Sequence, residues 1–226
     1  MKKSISILIL SLSLFSYAEE RTLIYLDRTT FKAPLPVGYC NATKNLIGEY
    51  MIEYINLQNK NMNYSMPRVK KVFTRCGYED DFDGIYPWGW IGVIKIPYPF
   101  SQLEFNKMMK KMAKDTSFLN KIGKQGSEAT EKALSELGAV DSIFQTLSPG
   151  ETAVVWSDRN VLVMNSVNRG YVEGEFFEEK VTGGVTLLDD VAFYYYITDD
   201  LNGKTNTKET ILKLIKNAEL LSKYNR

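Results

Sequence analysis

The run Thr198-Asp-Asp-Leu-Asn-Gly-Lys-Thr-Asn-Thr-Lys-Glu209 spaces its oxygen donors almost as a calcium-binding loop does. Counting Thr198 as position one puts Asp200 at three, Asn202 at five, Gly203 at six and Glu209 at twelve. Calcium asks for short oxygen ligands, a sharp turn and a closing bidentate carboxylate. Against this, the first position holds a neutral Thr, Thr205 stands where an apolar residue belongs, and a strand rather than a helix leads in. Turn chemistry explains the same residues. Asn202-Gly203 reverses the chain, and Asn206 with Glu209 three residues later starts a helix. The expectation is a joint between strand and helix, with Asp200, Asn202 and Glu209 as the candidate metal set. No cofactor is otherwise implied.

A second concentration lies in Glu79-Asp-Asp-Phe-Asp-Gly-Ile-Tyr-Pro-Trp-Gly-Trp90. Asp80, Asp81, Asp83, Tyr86 and Trp88 form a candidate ligand-binding set, since aromatic faces beside acids can stack on a sugar or peptide. The competing expectation is that Trp88 and Trp90 share strand parity and face the core while the acids face water. A carboxylate pair roughly 5–10 Å apart across a cleft would instead suit hydrolysis of an envelope polymer. The chain has no histidine. Ser-His-Asp and Cys-His nucleophile systems and His-based zinc sites are therefore excluded. The sequence contains no G-x-S-x-G, G-x-G-x-x-G or phosphate-cradling G-x-x-x-x-G-K-[ST] pattern. No catalytic residue is assigned.

Lys107, Lys110, Lys111 and Lys114 line one side of a helix whose other side is read as Phe105, Met108, Met109 and Met112. Such a stripe can lie on an anionic membrane, but it reads first as a solvated face over a core face.

The first eighteen residues have the form of a secretory signal peptide. Lys2 and Lys3 precede an uncharged run from Ile5 to Phe15, and Ser16-Tyr17-Ala18 offers a cleavage site. That run is too short to span a bilayer, and no segment of the mature chain is long enough to do so. Residues 19–226 are read as one α+β domain with a helical insert around 101–138. Without Lys2 and Lys3, 26 basic residues face 27 acidic ones, a formal charge of −1. Nucleic acid is thus not an expected partner. The only cysteines, Cys40 and Cys76, fall in the exported part. In an oxidising compartment they read as one disulfide, with two buried thiols as the alternative.

Residues 22–26 read as a strand, followed by an extended run through Pro34 and Pro36 and a turn at Gly38. A helix is expected from a cap at Asn41 or Thr43 to about Asn59, and strands over 69–76 and 88–97. Ser101 and Glu104 form a capping box, with Phe100 and Phe105 placed as a hydrophobic staple. Breaks around Asp115–Ser117 and Gly123–Gly126 suggest a second helical piece and then a third, from a cap at Ser127 to Leu137, closed by Gly138. Six short strands are expected over 142–147, 152–156, 161–167, 171–177, 181–188 and 191–198, with Asn168-Arg-Gly as one turn and Gly183-Gly184 as a bulge or break. A helix over 208–224 closes the chain, burying Ile211, Leu214, Ile215, Ala218 and Leu221, with Leu212 at the margin. The fold class is α+β, an antiparallel meander with packed helices and a C-terminal covering helix.

Phe31-Lys-Ala-Pro-Leu-Pro-Val-Gly-Tyr-Cys40, a helix, and a strand ending at Cys76 resemble a group of uncharacterised exported bacterial envelope proteins. The resemblance covers about the first quarter of the chain and implies an envelope location and the disulfide, without an activity. The element order is also similar to sandwiches of the photosynthetic PsbP type, an analogy of fold and not of function. The resulting expectation is an exported, periplasmic or secreted, non-catalytic protein that binds an envelope protein or a small ligand. The alternative is a carboxylate-dependent hydrolase.

Overall fold

The computed structural model describes residues 21–62, 65–79, 87–98, 100–138, 144–148, 152–172, 175–200 and 206–226. Strands β1 (Arg21–Leu26) and β2 (Thr29–Pro34) make a separate antiparallel hairpin. The main sheet contains β3 (Tyr39–Asn41), β4 (Arg68–Arg75), β5 (Trp88–Lys95), β6 (Phe144–Ser148), β7 (Ala153–Ser157), β8 (Leu162–Val172), β9 (Glu175–Leu188) and β10 (Val191–Asp200). Its order is β3-β4-β5-β10-β9-β8-β6, with β7 on the same edge of β8 as β6, and every pairing is antiparallel. The α+β meander expected from the sequence is the observed architecture.

Both faces of the sheet are covered. Along β10, Val191, Phe193, Tyr195 and Ile197 point to one side, into a core closed by the β1–β2 hairpin and by α4 (Thr207–Tyr224). Ala192 and Tyr194 point to the other, towards α2 (Gln102–Met112). On that second face, α1 (Leu46–Asn61) covers Val69 and Val72, and α3 (Thr116–Glu136) packs on α1. A central strand buried on both sides needs an unbroken apolar run, and Val-Ala-Phe-Tyr-Tyr-Tyr-Ile supplies it. Burial raises the hydroxyl pKa of Tyr194, Tyr195 and Tyr196 above the usual tyrosine range.

Several boundaries differ from the expectation, each for a local reason. Helix α1 starts at Leu46, because both expected caps are used elsewhere. Asn41 Oδ1 accepts from Thr43 N at 3.0 Å, and Thr43 Oγ1 accepts from Val72 N at 3.1 Å. Gly48 lets the first turn of α1 lie against the preceding chain, since a Cβ there would fall 1.8 Å from the Ala42 carbonyl oxygen. Helix α3 runs unbroken for 21 residues through Gly123 and Gly126, from a cap in which Asp115 accepts from Phe118 N at 3.0 Å. One glycine costs only about 1 kcal/mol in a helix, and packing on α1 outweighs it. Gly138, at φ +75°, follows the end of α3 as expected.

The expected turn at Asn168-Arg-Gly is instead the middle of β8. Arg169 pairs with Glu178 on β9 across that register, and the strand expected over 171–177 divides between β8 and β9. Gly183 and Gly184 are neither a bulge nor a break, because both lie in continuous register. A Cβ at Gly183 would meet the Tyr196 ring at 2.7 Å, and Gly184 lies beneath Leu214 of α4. These glycines clear space for a ring on one face and a helix on the other. On α4, Leu214, Ala218 and Leu221 are buried, Ile211 and Ile215 are partly buried against the core, and Leu212 is exposed.

Candidate functional site

Of the residues singled out for chemistry, the structure joins two. Cys40 and Cys76 form a disulfide with their Cα atoms 4.8 Å apart. It secures β3, a three-residue edge strand, to the end of β4, where Cys76 N donates to Gly38 O at 3.2 Å. Glu79 lies close enough for its carboxylate and the two sulfurs to fall within 4.8 Å of one another. Joined sulfurs present no thiolate to a metal, and the Glu79 carboxylate accepts from Gly77 N at 2.8 Å.

Asp80, Asp81, Asp83 and Tyr86 lie outside the described residues. Trp88 is half-buried and packs with Trp90 beneath α1, where Trp90 stacks on Tyr196 at 4.3 Å between ring centroids. Asn202 is also outside the described residues, and Asp200 is placed by its backbone as the last residue of β10. Glu209 sits in the first turn of α4, which Asn206 caps by accepting from Lys208 N at 3.0 Å.

The flanks of this joint carry a charged cluster that periodicity did not reveal. The Glu209 carboxylate lies 3.0 Å from Lys213 Nζ, and that ammonium stands 5.4 Å from the centre of the Tyr39 ring. Asp199 is buried and stands opposite Lys180, which donates to Thr207 at the start of α4. Burial first, then the Asp199 charge, pushes the Tyr39 hydroxyl well above the usual tyrosine range. Lysine thus already neutralises Glu209, the only candidate calcium ligand whose side chain is described. The expected result is an unchanged melting temperature between chelator and millimolar calcium; a rise of several degrees would show that the folded protein binds calcium and return Asp200, Asn202 and Glu209 to candidacy.

Residues 95–98 and 100–114 join the end of β5 to α2 and expose Tyr98, Phe100, Leu103 and Met108. Strand β5 ends at Lys95, and Ile96 N donates to Asp190 O at 2.7 Å. Lys95 Nζ lies 3.5 Å from Asp190 and 4.0 Å from Asp27, so it ties together two hairpin turns. An open cleft of about 420 Å³ is lined by Lys95, Ile96, Pro97 and Asp190. Helix α2 then starts with the expected capping box. Glu104 N donates to Ser101 Oγ at 3.2 Å, and Ser101 N donates back to the Glu104 carboxylate at 2.9 Å. Hydrogen bonds from Ser101 hold the Glu104 carboxyl below its usual range, and the Lys107 charge adds to the effect.

What seats α2 is polar as well as apolar. Phe105 is buried and Met109 packs beside it, whereas Met108, assigned to the core face by spacing, is exposed. Gln102 and Asn106 are buried instead. Gln102 Oε1 accepts from Leu187 N at 2.6 Å, and Nε2 donates to Val185 O at 3.2 Å and to Asn106 Oδ1 at 2.8 Å. Leu162 is the first residue of β8 and pairs with Val185, so β8 ends short of Leu187. The Gln102 amide takes over as the next rung. Asn106 Nδ2 in turn donates to Asp158 O at 2.6 Å, in the turn between β7 and β8. Their spacing in phase with Phe105 was the available signal. Gln102→Ala leaves a buried N–H and carbonyl unpaired and is expected to cost about 2 kcal/mol. A urea midpoint shift at unchanged slope measures this, and a value inside error would show that the clamp is dispensable.

No family model and no curated protein matches this chain. Among solved structures it is similar to cyanobacterial PsbP (CyanoP) from Synechocystis sp. PCC 6803. The likeness has 10% identity and a TM-score of 0.36, covering 94% of this chain and 96% of that one.

Proposed function

We propose that this protein acts outside the cytoplasm as a non-catalytic binding protein of the cell envelope. In this reading, residues 1–18 direct export and are removed, and 19–226 form one domain in which the helices around 101–138 are an insert. The observation that carries the location is the Cys40–Cys76 disulfide, since such bonds persist where thiols are not kept reduced. The binding half of the reading rests on α2 and its flanks, where Tyr98, Phe100, Leu103 and Met108 are exposed together with Lys107, Lys110, Lys111 and Lys114. A chain without histidine also lacks the commonest general base, and this favours recognition over turnover.

The test has two parts. Fractionation of cells is expected to place the processed chain in the envelope or medium, and retention in the cytoplasm would refute the location. A photo-crosslinker at Lys110 on α2 is expected to capture envelope material, while one at Glu219 on α4 captures far less. Equal labelling from both positions would refute α2 as the binding element.

A further inference from the structure

Helix α2 exposes Leu103, Lys107 and Lys110 at i, i+4 and i+7, a stripe beside its buried Gln102–Phe105–Asn106 face, and Lys114 follows in the turn after the helix. Lys111 flanks the stripe. Among the described residues, none of Lys107, Lys110, Lys111 and Lys114 makes an ion pair. Exposed apolar side chains accompany them on α2 and just before it: Tyr98 is 70% exposed, Leu103 56%, Met108 40% and Phe100 37%. Residues 107–124 carry six lysines against the single acid Asp115, in a chain whose overall formal charge is near zero.

We propose that α2 docks this protein on the surface of an anionic phospholipid bilayer. The proposal rests on the reading above that segment 98–114 is a binding surface, and it names the partner class. Four lysines along the second half of α2 and the turn that follows it suit a surface of smeared negative charge better than the discrete carboxylates of a protein partner. Long lysine stems reach headgroups while Leu103 and the preceding Tyr98 and Phe100 insert at the interface. No helix among the described residues is long and apolar enough to cross a membrane, so the association assigned here is peripheral. Gln102 and Asn106 give the arrangement its stiffness, because they fix α2 to β9 and to the β7–β8 turn.

The experiment is co-sedimentation of the processed protein with vesicles of equimolar phosphatidylglycerol and phosphatidylcholine, compared with phosphatidylcholine alone. Binding is expected to the anionic vesicles only, and to weaken as salt is raised. Each lysine at an anionic surface is worth about a fivefold gain in partitioning, so the triple variant Lys107→Gln, Lys110→Gln, Lys114→Gln should lose about 100-fold. Leu103→Ser alone should lose about fivefold. Lys208→Gln with Lys223→Gln, on α4 across the sheet, should bind as the parent does, and thermal melts confirm that each variant is folded. Failure of the parent to bind anionic vesicles, or parent-like binding by the triple lysine variant, overturns the proposal. If the crosslinker at Lys110 captures a protein while vesicles do not bind, the bilayer assignment falls and the binding reading stands. If both fail, both fall.

Discussion

Phe193→Ala is expected to lower the unfolding free energy by about 4 kcal/mol, in the upper range for a buried aromatic deleted to alanine. Phe193 is fully buried at the centre of β10 and meets Phe31 of β2 edge to face, with ring centroids 5.1 Å apart. Removing the ring leaves a cavity beneath the β1–β2 hairpin. A hairpin of two strands is not stable by itself and depends on the core it covers. In a chain of this size the melting temperature should fall by about 10 °C. Hydrogen exchange should quicken first in β1 and β2, while β8 and β9 retain protection. A loss below about 1.5 kcal/mol would mean that the hairpin and α4 collapse onto the gap, contrary to the rigid core inferred here.

The second large effect belongs to the disulfide. Replacing Cys40 and Cys76 together by serine should cost about 3–4 kcal/mol, the value the chain-entropy account gives for a link across 36 residues. Its structural consequence should be local, because β3 is only three residues long and pairs with β4 alone. The Ala42 N–H, which donates to Val72 O at 3.0 Å, should therefore lose exchange protection before the centre of β4 does. Denaturing the parent protein without reductant should yield no reactive thiol. Two reactive thiols, or a serine pair as stable as the parent, would remove the bridge from the account.

Much of the architecture was legible because it rests on local chemistry. The capping box at Ser101 and Glu104, the stop at Gly138, the cap at Asn206 and the apolar run of β10 each follow from residues within one or two turns of chain. The misreadings came where a distant element supplied the reason. Asn41 and Thr43 are good caps by type, but β4 claims Thr43 and the helix starts later. Gly183-Gly184 reads locally as a break, whereas the pair makes room for Tyr196 and Leu214. Asn168-Arg-Gly reads as a turn until Arg169 is seen paired with Glu178.

The candidate site divides in the same way. The lysine stripe was visible as spacing, but spacing assigned Met108 to the core and passed over Gln102 and Asn106. A polar side chain earns burial only when a backbone group elsewhere needs it, and here β8 ends before Leu187 is paired. The sequence alone determined the α+β class, the pairing partner open to each cysteine, the position of the capped helix and the lysines on it. Only the tertiary structure decided which faces were covered. It turned Phe105, Gln102 and Asn106 inward, and left Leu103, Met108 and four lysines facing outward. Burial depends on which strand ends where, and that is set by contacts between segments far apart in the chain.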